Sequence, residues 1–336
     1  MRSVSRFLLA LLAGAAALPT AAVVAGEVSS AGGLSCSPIG LSVDAPGNRV
    51  LEAGETVEVR PQWRNDGLLD IASLAGTTVS FSGPLGATYT MPDALALYGL
   101  LIPDQDAWCT DCYSLRIDTD ARPALHWDAI ARETTLPLLT SKDWVLHVGG
   151  SFNDVPSTSG YYPFVETILH ANVTAGCANA EYCPAASTTR EQMAVFTLVS
   201  KEGAGYTPAA CGTPLYSDVP AASPYCRWIE ELSRRGVVVG CGDGKFCPGD
   251  AVSREQMAVF MIRTLDASID PPACGATTIY SDVPGSSPYC RWVEELTRRH
   301  VVTGCALGEY CPTQAVTREQ MAVFLSVTFS LSLYGA

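Results

Sequence analysis

The sequence predicts two domains of different class, an all-β sandwich followed by a helix-rich body in which one unit occurs three times. Two observations carry this. Residues 36–148 alternate apolar and polar side chains in short runs separated by Pro and Gly, the period of half-buried strands. Residues 151–336 repeat themselves: "FNDVP" at Phe152 returns as "YSDVP" at Tyr216 and again at Tyr280, a constant step of 64 residues.

The chain opens with the features of an export signal. Arg2 and Arg6 precede an apolar run from Phe7 to Leu18 that is too short to span a bilayer, and "VVA" before Gly26 has the small residues of a cleavage site. Residues 1–25 are expected to be a signal peptide, with no membrane-spanning segment in the mature chain and a secreted, soluble product. Thirteen cysteines suit an oxidising compartment. A formal net charge of −13 argues against nucleic acid as a partner.

The β domain occupies residues 26–149. "ETVEVRPQW" places Val57 and Val59 on one face, and "TTVSFSG", "CYSLRI" and "WVLHV" read as further strands. Roughly seven short strands over a segment of this length predict an immunoglobulin-like sandwich. Cys109 and Cys112 lack the βαβ surroundings of a redox motif and read as a structural link. Cys36 competes for either one, and three cysteines leave one unpaired. Asp44, Asn48 and Glu52 are only weakly like a calcium loop, because the regular ligand spacing is missing. His126 and His147 read as ordinary strand residues. No nucleophile triad, carboxylate pair or metal-ligand set stands out, so no enzymatic activity, metal or cofactor is expected.

The repeats span 150–206, 207–270 and 271–336. In the second, "SPYCRWIEELSRRG" predicts a helix opened by Ser-Pro, with Trp228, Ile229 and Leu232 at helical spacing and Arg234 and Arg235 in the last turn. It stops at Gly236, whose counterparts are Asn172 and His300; all three residue types tolerate the left-handed conformation of a helix C-cap. "VVVGCGDGKFCPGDAV" then predicts an irregular hairpin. Its two cysteines can staple that loop, giving expected disulfides Cys241–Cys247, Cys177–Cys183 and Cys305–Cys311. Cys211–Cys226 and Cys274–Cys290 are further plausible pairs; in the first repeat His147 and Tyr162 stand in their place. Two thiols per repeat, with no histidine at ligand spacing, disfavour a metal there.

Each repeat closes on a second helix: "TTREQMAVF" from Thr188, "VSREQMAVF" from Val252 and "VTREQMAVF" from Val316. Ser253 is the N-cap and Gln256 completes a capping box, while Val252 and Met257 form a hydrophobic staple that Thr188 weakens in the first repeat. Met257, Phe260 and Met261 form the buried face. None of this accounts for Arg190, Arg254 and Arg318, each set directly after the N-cap, where a cation opposes the helix dipole.

"YSDVP", "CRWIEEL", "GDGKFCP" and "SREQMAVF" together resemble S-layer homology domains, over about residues 151–332. The resemblance implies a mainly α-helical, pseudo-threefold body that anchors exported proteins non-covalently to cell-wall polysaccharide. It also implies that Arg190, Arg254 and Arg318 lie in grooves between repeats and contact an anionic sugar. The sequence departs from the family pattern: "TRAE" becomes "TREQ", Phe164 replaces the helix tryptophan of the first repeat, and the loops carry cysteines.

The expected function is attachment to wall or envelope polysaccharide through those arginines, with Trp228 and Trp292 as candidate stacking platforms that helical spacing also suits to core positions. The anion facing each arginine is either external or one of Asp154, Asp218, Asp282 and the adjacent glutamates. The competing readings are a protein-interaction or structural module, and an enzyme with a hidden site in the sandwich.

Overall fold

The computed structural model describes residues 33–336; the expected export signal lies outside them. The first domain is a sandwich of two antiparallel sheets built from β1 (Cys36–Val43), β2 (Thr56–Asn65), β3 (Ile71–Ser82), β4 (Thr88–Asp93), β5 (Leu95–Leu101), β6 (Asp106–Trp108), β7 (Tyr113–Asp118), β8 (Asp128–Leu136) and β9 (Ser141–His147). One sheet runs β1-β2-β7-β4 with β6 also paired to β2, and the other runs β5-β3-β8-β9. The described residues form nine strands rather than the expected seven. The additional strands are hard to read in sequence because the outward positions of β5 are the exposed leucines Leu95, Leu97 and Leu100, and β6 is only three residues long. In β2, Val57, Val59 and Trp63 all face the core.

At the centre of that core lies a carboxylate. Glu133 is fully buried, and it accepts hydrogen bonds from Trp144 Nε1 at 2.6 Å, Trp63 Nε1 at 3.3 Å, Tyr98 Oη at 2.6 Å and Tyr113 Oη at 2.8 Å. Four donors on strands of both sheets converge on one group, which is how a buried carboxyl group becomes tolerable. Gly76 makes the room: a Cβ there would come within 2.0 Å of Glu133 Oε1. Cys109 and Cys112 are joined, and Cys36 is buried and unpaired. Asn48 bridges the suspected calcium loop by itself, its amide donating to Glu52 Oε1 and its N–H to Asp44 Oδ2.

Six helices follow: α1 (Tyr162–His170), α2 (Arg190–Glu202), α3 (Cys226–Arg234), α4 (Arg254–Leu265), α5 (Cys290–Arg298) and α6 (Arg318–Thr328). In the second and third repeats the first helix starts later than its Ser-Pro signal, at Cys226 and Cys290, whereas the first repeat has no Ser-Pro pair. Ser223 Oγ instead accepts the Tyr225 N–H in a turn that precedes α3. The stops agree with the sequence: Asn172, Gly236 and His300 have φ of 56°, 70° and 58°. Between the helices, Cys177–Cys183, Cys241–Cys247 and Cys305–Cys311 are bonded across the loops, and Cys211–Cys226 and Cys274–Cys290 tie loops to α3 and α5.

The second helices α2, α4 and α6 pack on one another about a pseudo-threefold axis. The residues before their N-caps close a ring of backbone hydrogen bonds, in which Thr188 N donates to Val316 O, Val316 N to Val252 O, and Val252 N to Thr188 O, each at 2.9 Å. All three side chains are fully buried. Their sequence role as staples is therefore also the point at which the three repeats lock together.

The two domains share a packed joint. Val50 of the sandwich lies in the helical core, Tyr334 Oη donates to His147 O at 2.9 Å and accepts from Leu51 N at 2.8 Å, and Arg122 binds the carbonyls of Leu125, Val148 and Gly149.

Candidate functional site

The capping boxes form in all three second helices, with Thr189, Ser253 and Thr317 as N-caps bonded to Gln192, Gln256 and Gln320. The next N–H groups are also taken. Arg190 N donates to Asp250 O, Arg254 N to Gln314 O and Arg318 N to Ala186 O, each at 2.9 Å; the following glutamates donate to Pro248, Pro312 and Pro184. The helix N-termini therefore hold no free N–H groups for an external anion. They are spent on joining each repeat to the next.

The arginine side chains are built into the same joints. Arg190, Arg254 and Arg318 are only 7%, 4% and 4% exposed. Each Nε donates to a carbonyl of the following repeat: Phe246 at 2.8 Å, Tyr310 at 2.7 Å and Tyr182 at 2.8 Å. Each guanidinium stacks over that residue's ring, at 4.6, 4.8 and 4.7 Å from the centroid. A second ring, Phe260, Phe324 or Phe196, lies beyond it. Such stacking suits a desolvated guanidinium. Burial pushes the Arg190 and Arg318 pKa below the ordinary arginine value.

No carboxylate forms an ion pair with any of the three guanidinium groups among the described residues. The internal partners considered from sequence are otherwise engaged: Asp154, Asp218 and Asp282 accept the backbone N–H groups of Tyr182 and Cys183, Phe246 and Cys247, and Tyr310 and Cys311. They cap the disulfide loops. The cations are thus held by carbonyls and rings; among the described residues the outer nitrogens of Arg190 and Arg254 have no hydrogen-bond acceptor, while Arg318 has one.

Two such grooves are well formed. One, of about 390 Å³, is lined by Arg190, the Val237–Cys241 strip, Gln256, Asp250 and Tyr289. The other, of about 600 Å³, is lined by Arg254, the Val301–Ala306 strip, Gln320, Gln314 and Tyr161. Each takes its arginine from one repeat, its floor from the next and its tyrosine from the third. Both volumes fall in the range of ligand clefts. The capping glutamines face the grooves; their Oε1 atoms accept N-cap N–H groups, which leaves amide donors for a ligand. At the third joint Arg318 Nη2 donates to Thr174 Oγ1 at 3.4 Å, where the other repeats have Val238 and Val302.

The tryptophans are elsewhere. Trp292 is 4% exposed, its ring between Arg263 and Arg291. Trp228 is half-buried, edge-on to Tyr206 at 6.3 Å and beside the Cys211–Cys226 link. Neither lines the two arginine grooves. The histidines also depart from the sequence reading. His126 and His147 are not isolated: they meet Asp128 and His170 where the two domains join.

Residues 151–194, 215–258 and 279–322 match the S-layer homology domain family, in three tandem copies. Domains of this kind are non-catalytic anchoring modules of bacterial cell surfaces that bind cell-wall polymers. The chain is also similar to an endoglucanase of Bacillus sp. (strain KSM-635), 26% identical over 179 residues. That similarity covers 52% of this chain and 18% of the endoglucanase. No helix among the described residues is long and apolar enough to cross a membrane.

Proposed function

We propose that this chain, whose residues 151–322 carry three tandem S-layer homology domains, is an exported, non-enzymatic envelope protein that holds its β-sandwich at the cell surface by binding an anionic wall or envelope polysaccharide. The observation that carries this reading is the pair of grooves in which Arg190 and Arg254 bring a guanidinium without a carboxylate partner. An anionic sugar substituent would take bidentate hydrogen bonds from the outer nitrogens and neutralise a cation that the fold leaves unpaired. Several such sites on one rigid body add through effective concentration, so a long polymer is held tightly by individually weak contacts.

The test is sedimentation of the full chain with purified envelope polysaccharide. A variant with Arg190, Arg254 and Arg318 all changed to Gln is compared with it, and cooperative melting serves as the check on folding. Loss of co-sedimentation in a variant that still melts cooperatively is the expected result. Undiminished binding by that variant would sink the arginine model, and binding that survives complete removal of polysaccharide would favour a protein-interaction module.

A further inference from the structure

The joint between the domains gathers three of the chain's four histidines and an aspartate. Asp128 opens β8, His126 lies two residues before it, and His147 ends β9 as the register partner of Asp128. His170 comes from the last turn of α1 in the helical domain. His126 Nε2 lies 3.1 Å from Asp128 Oδ2; His147 Nδ1 and His170 Nδ1 lie 3.2 and 3.1 Å from Asp128 Oδ1. One ligand-type atom from each of the four residues falls within 4.8 Å of all the others.

The far sides of two rings fix what these atoms are. His147 Nε2 donates to Glu166 Oε2 at 2.7 Å; Glu166 is buried and accepts from Ser151 N and Oγ as well. His126 Nδ1 lies 3.0 Å from Asn172 Oδ1, and the orientation of that amide is set because its nitrogen donates to His170 O at 3.3 Å. With those protons placed outward, the second ring nitrogens of His126 and His147 both point at the Asp128 carboxylate. Ring nitrogens this close to a carboxylate need positive charge between them, either a proton on each ring or one metal ion shared by all, and the four ligand-type atoms are gathered closely enough for the latter.

We propose that His126 Nε2, Asp128, His147 Nδ1 and His170 Nδ1 bind a divalent transition-metal ion of the zinc class, which bolts the sandwich to the repeat domain. Three imidazoles and one carboxylate suit zinc rather than calcium or magnesium. Metal–nitrogen bonds of about 2.0–2.1 Å in a tetrahedron put neighbouring ligands about 3.3 Å apart, close to the spacings around Asp128. Glu166 and Asn172 supply the outer hydrogen bonds that orient metal-bound imidazoles. Four protein ligands fill a tetrahedron, so the site is structural rather than hydrolytic. This inference is independent of the polysaccharide reading: no residue of it lines an arginine groove.

The experiment strips the full mature chain with chelator, then adds zinc alone, or cobalt(II) as a spectroscopic probe. Expected are one zinc per chain, a higher melting temperature with zinc, and the visible bands of tetrahedral cobalt(II). The half-exposed ligands permit variants that spare the core, so His126→Gln and His170→Gln are each expected to lose stoichiometric binding. Glu166→Gln, a change of a positioning residue, is expected to weaken zinc roughly 10- to 100-fold while keeping the tetrahedral cobalt spectrum. Arg254→Gln is expected to bind zinc as the parent does. Binding of less than one equivalent by the stripped parent, or equal binding by the His126 and His170 variants, overturns the proposal. So does a melting temperature that responds to pH but not to zinc, which would make the cluster a histidine–carboxylate network.

Discussion

Arg254 and Tyr310 bind each other twice: Arg254 Nε donates to the Tyr310 carbonyl at 2.7 Å, and the Tyr310 hydroxyl donates back to the Arg254 carbonyl at 2.9 Å. The guanidinium lies over the tyrosine ring meanwhile. Arg318 and Tyr182 repeat the arrangement, with the return bond at 2.7 Å. The joint between Arg190 and Phe246 keeps the stacking and the Nε bond but has no hydroxyl. Tyr310→Phe and Tyr182→Phe should therefore each cost about 1 kcal/mol by urea denaturation, while the Phe246 joint marks what the fold tolerates without that bond. A cost near zero in both would mean the return bond adds nothing.

The three arginines should not be equivalent in binding. Asp250 adds a negative charge to the Arg190 groove where the Arg254 groove has Gln314, and Thr174 occupies one nitrogen of Arg318. Among single Arg→Gln variants, Arg254→Gln should weaken polysaccharide binding most. Asp250→Gln should strengthen it, and more at low ionic strength, where an exposed charge is least screened. Titration of each variant against the same polymer ranks the sites.

Asp218 holds a disulfide loop through the N–H groups of Phe246 and Cys247. Burial works against its ionised form, but those N–H bonds outweigh it and keep its pKa below the ordinary 3.8. A depressed carboxylate contributes stability that is complete above its unfolded pKa and is lost as pH falls through the lower folded value. Asp218→Asn should thus lower the melting temperature at neutral pH, by an amount worth about 1 kcal/mol, and the gap from the parent should close below pH 3.8. A gap that is constant with pH would show that the charge is not involved.

Glu133 is the keystone of the sandwich. Glu133→Ala would leave two indole N–H groups and two tyrosine hydroxyls buried without an acceptor, at a cost of about 3 kcal/mol or more. Gly76→Ala should be harmful by the same route, since its Cβ would displace both Glu133 and the Tyr113 hydroxyl. Thermal unfolding measures both, and a loss under 1 kcal/mol in either would refute this account of the core.

Much of the repeat domain is legible without coordinates because its signals are local. N-cap, capping box, C-cap and loop cysteines each lie within a few residues of their partners, and the 64-residue step multiplies every signal by three. The position of the arginines could be read, as could the question of what anion they face. Strand count and pairing in the sandwich were less legible, because leucines at the outward positions of the edge strand β5 hide its period and strand partners lie far apart in sequence.

The sequence alone determined that there are two domains, where the first helix of each repeat ends and which cysteines of the repeats lie near one another, but not which of Cys36, Cys109 and Cys112 pair. Only the tertiary structure decided that the helix N–H groups are spent on neighbouring repeats, that Asp154, Asp218 and Asp282 cap loops rather than meet the arginines, and that Trp228 and Trp292 stand away from the grooves. It alone brought His170 to Asp128, across 42 residues and a domain boundary. The reason is physical: capping and turn formation are fixed by dihedral preferences and bonds within one turn of chain. The meeting of groups from different elements depends on which faces bury each other, and no short stretch of sequence contains that information.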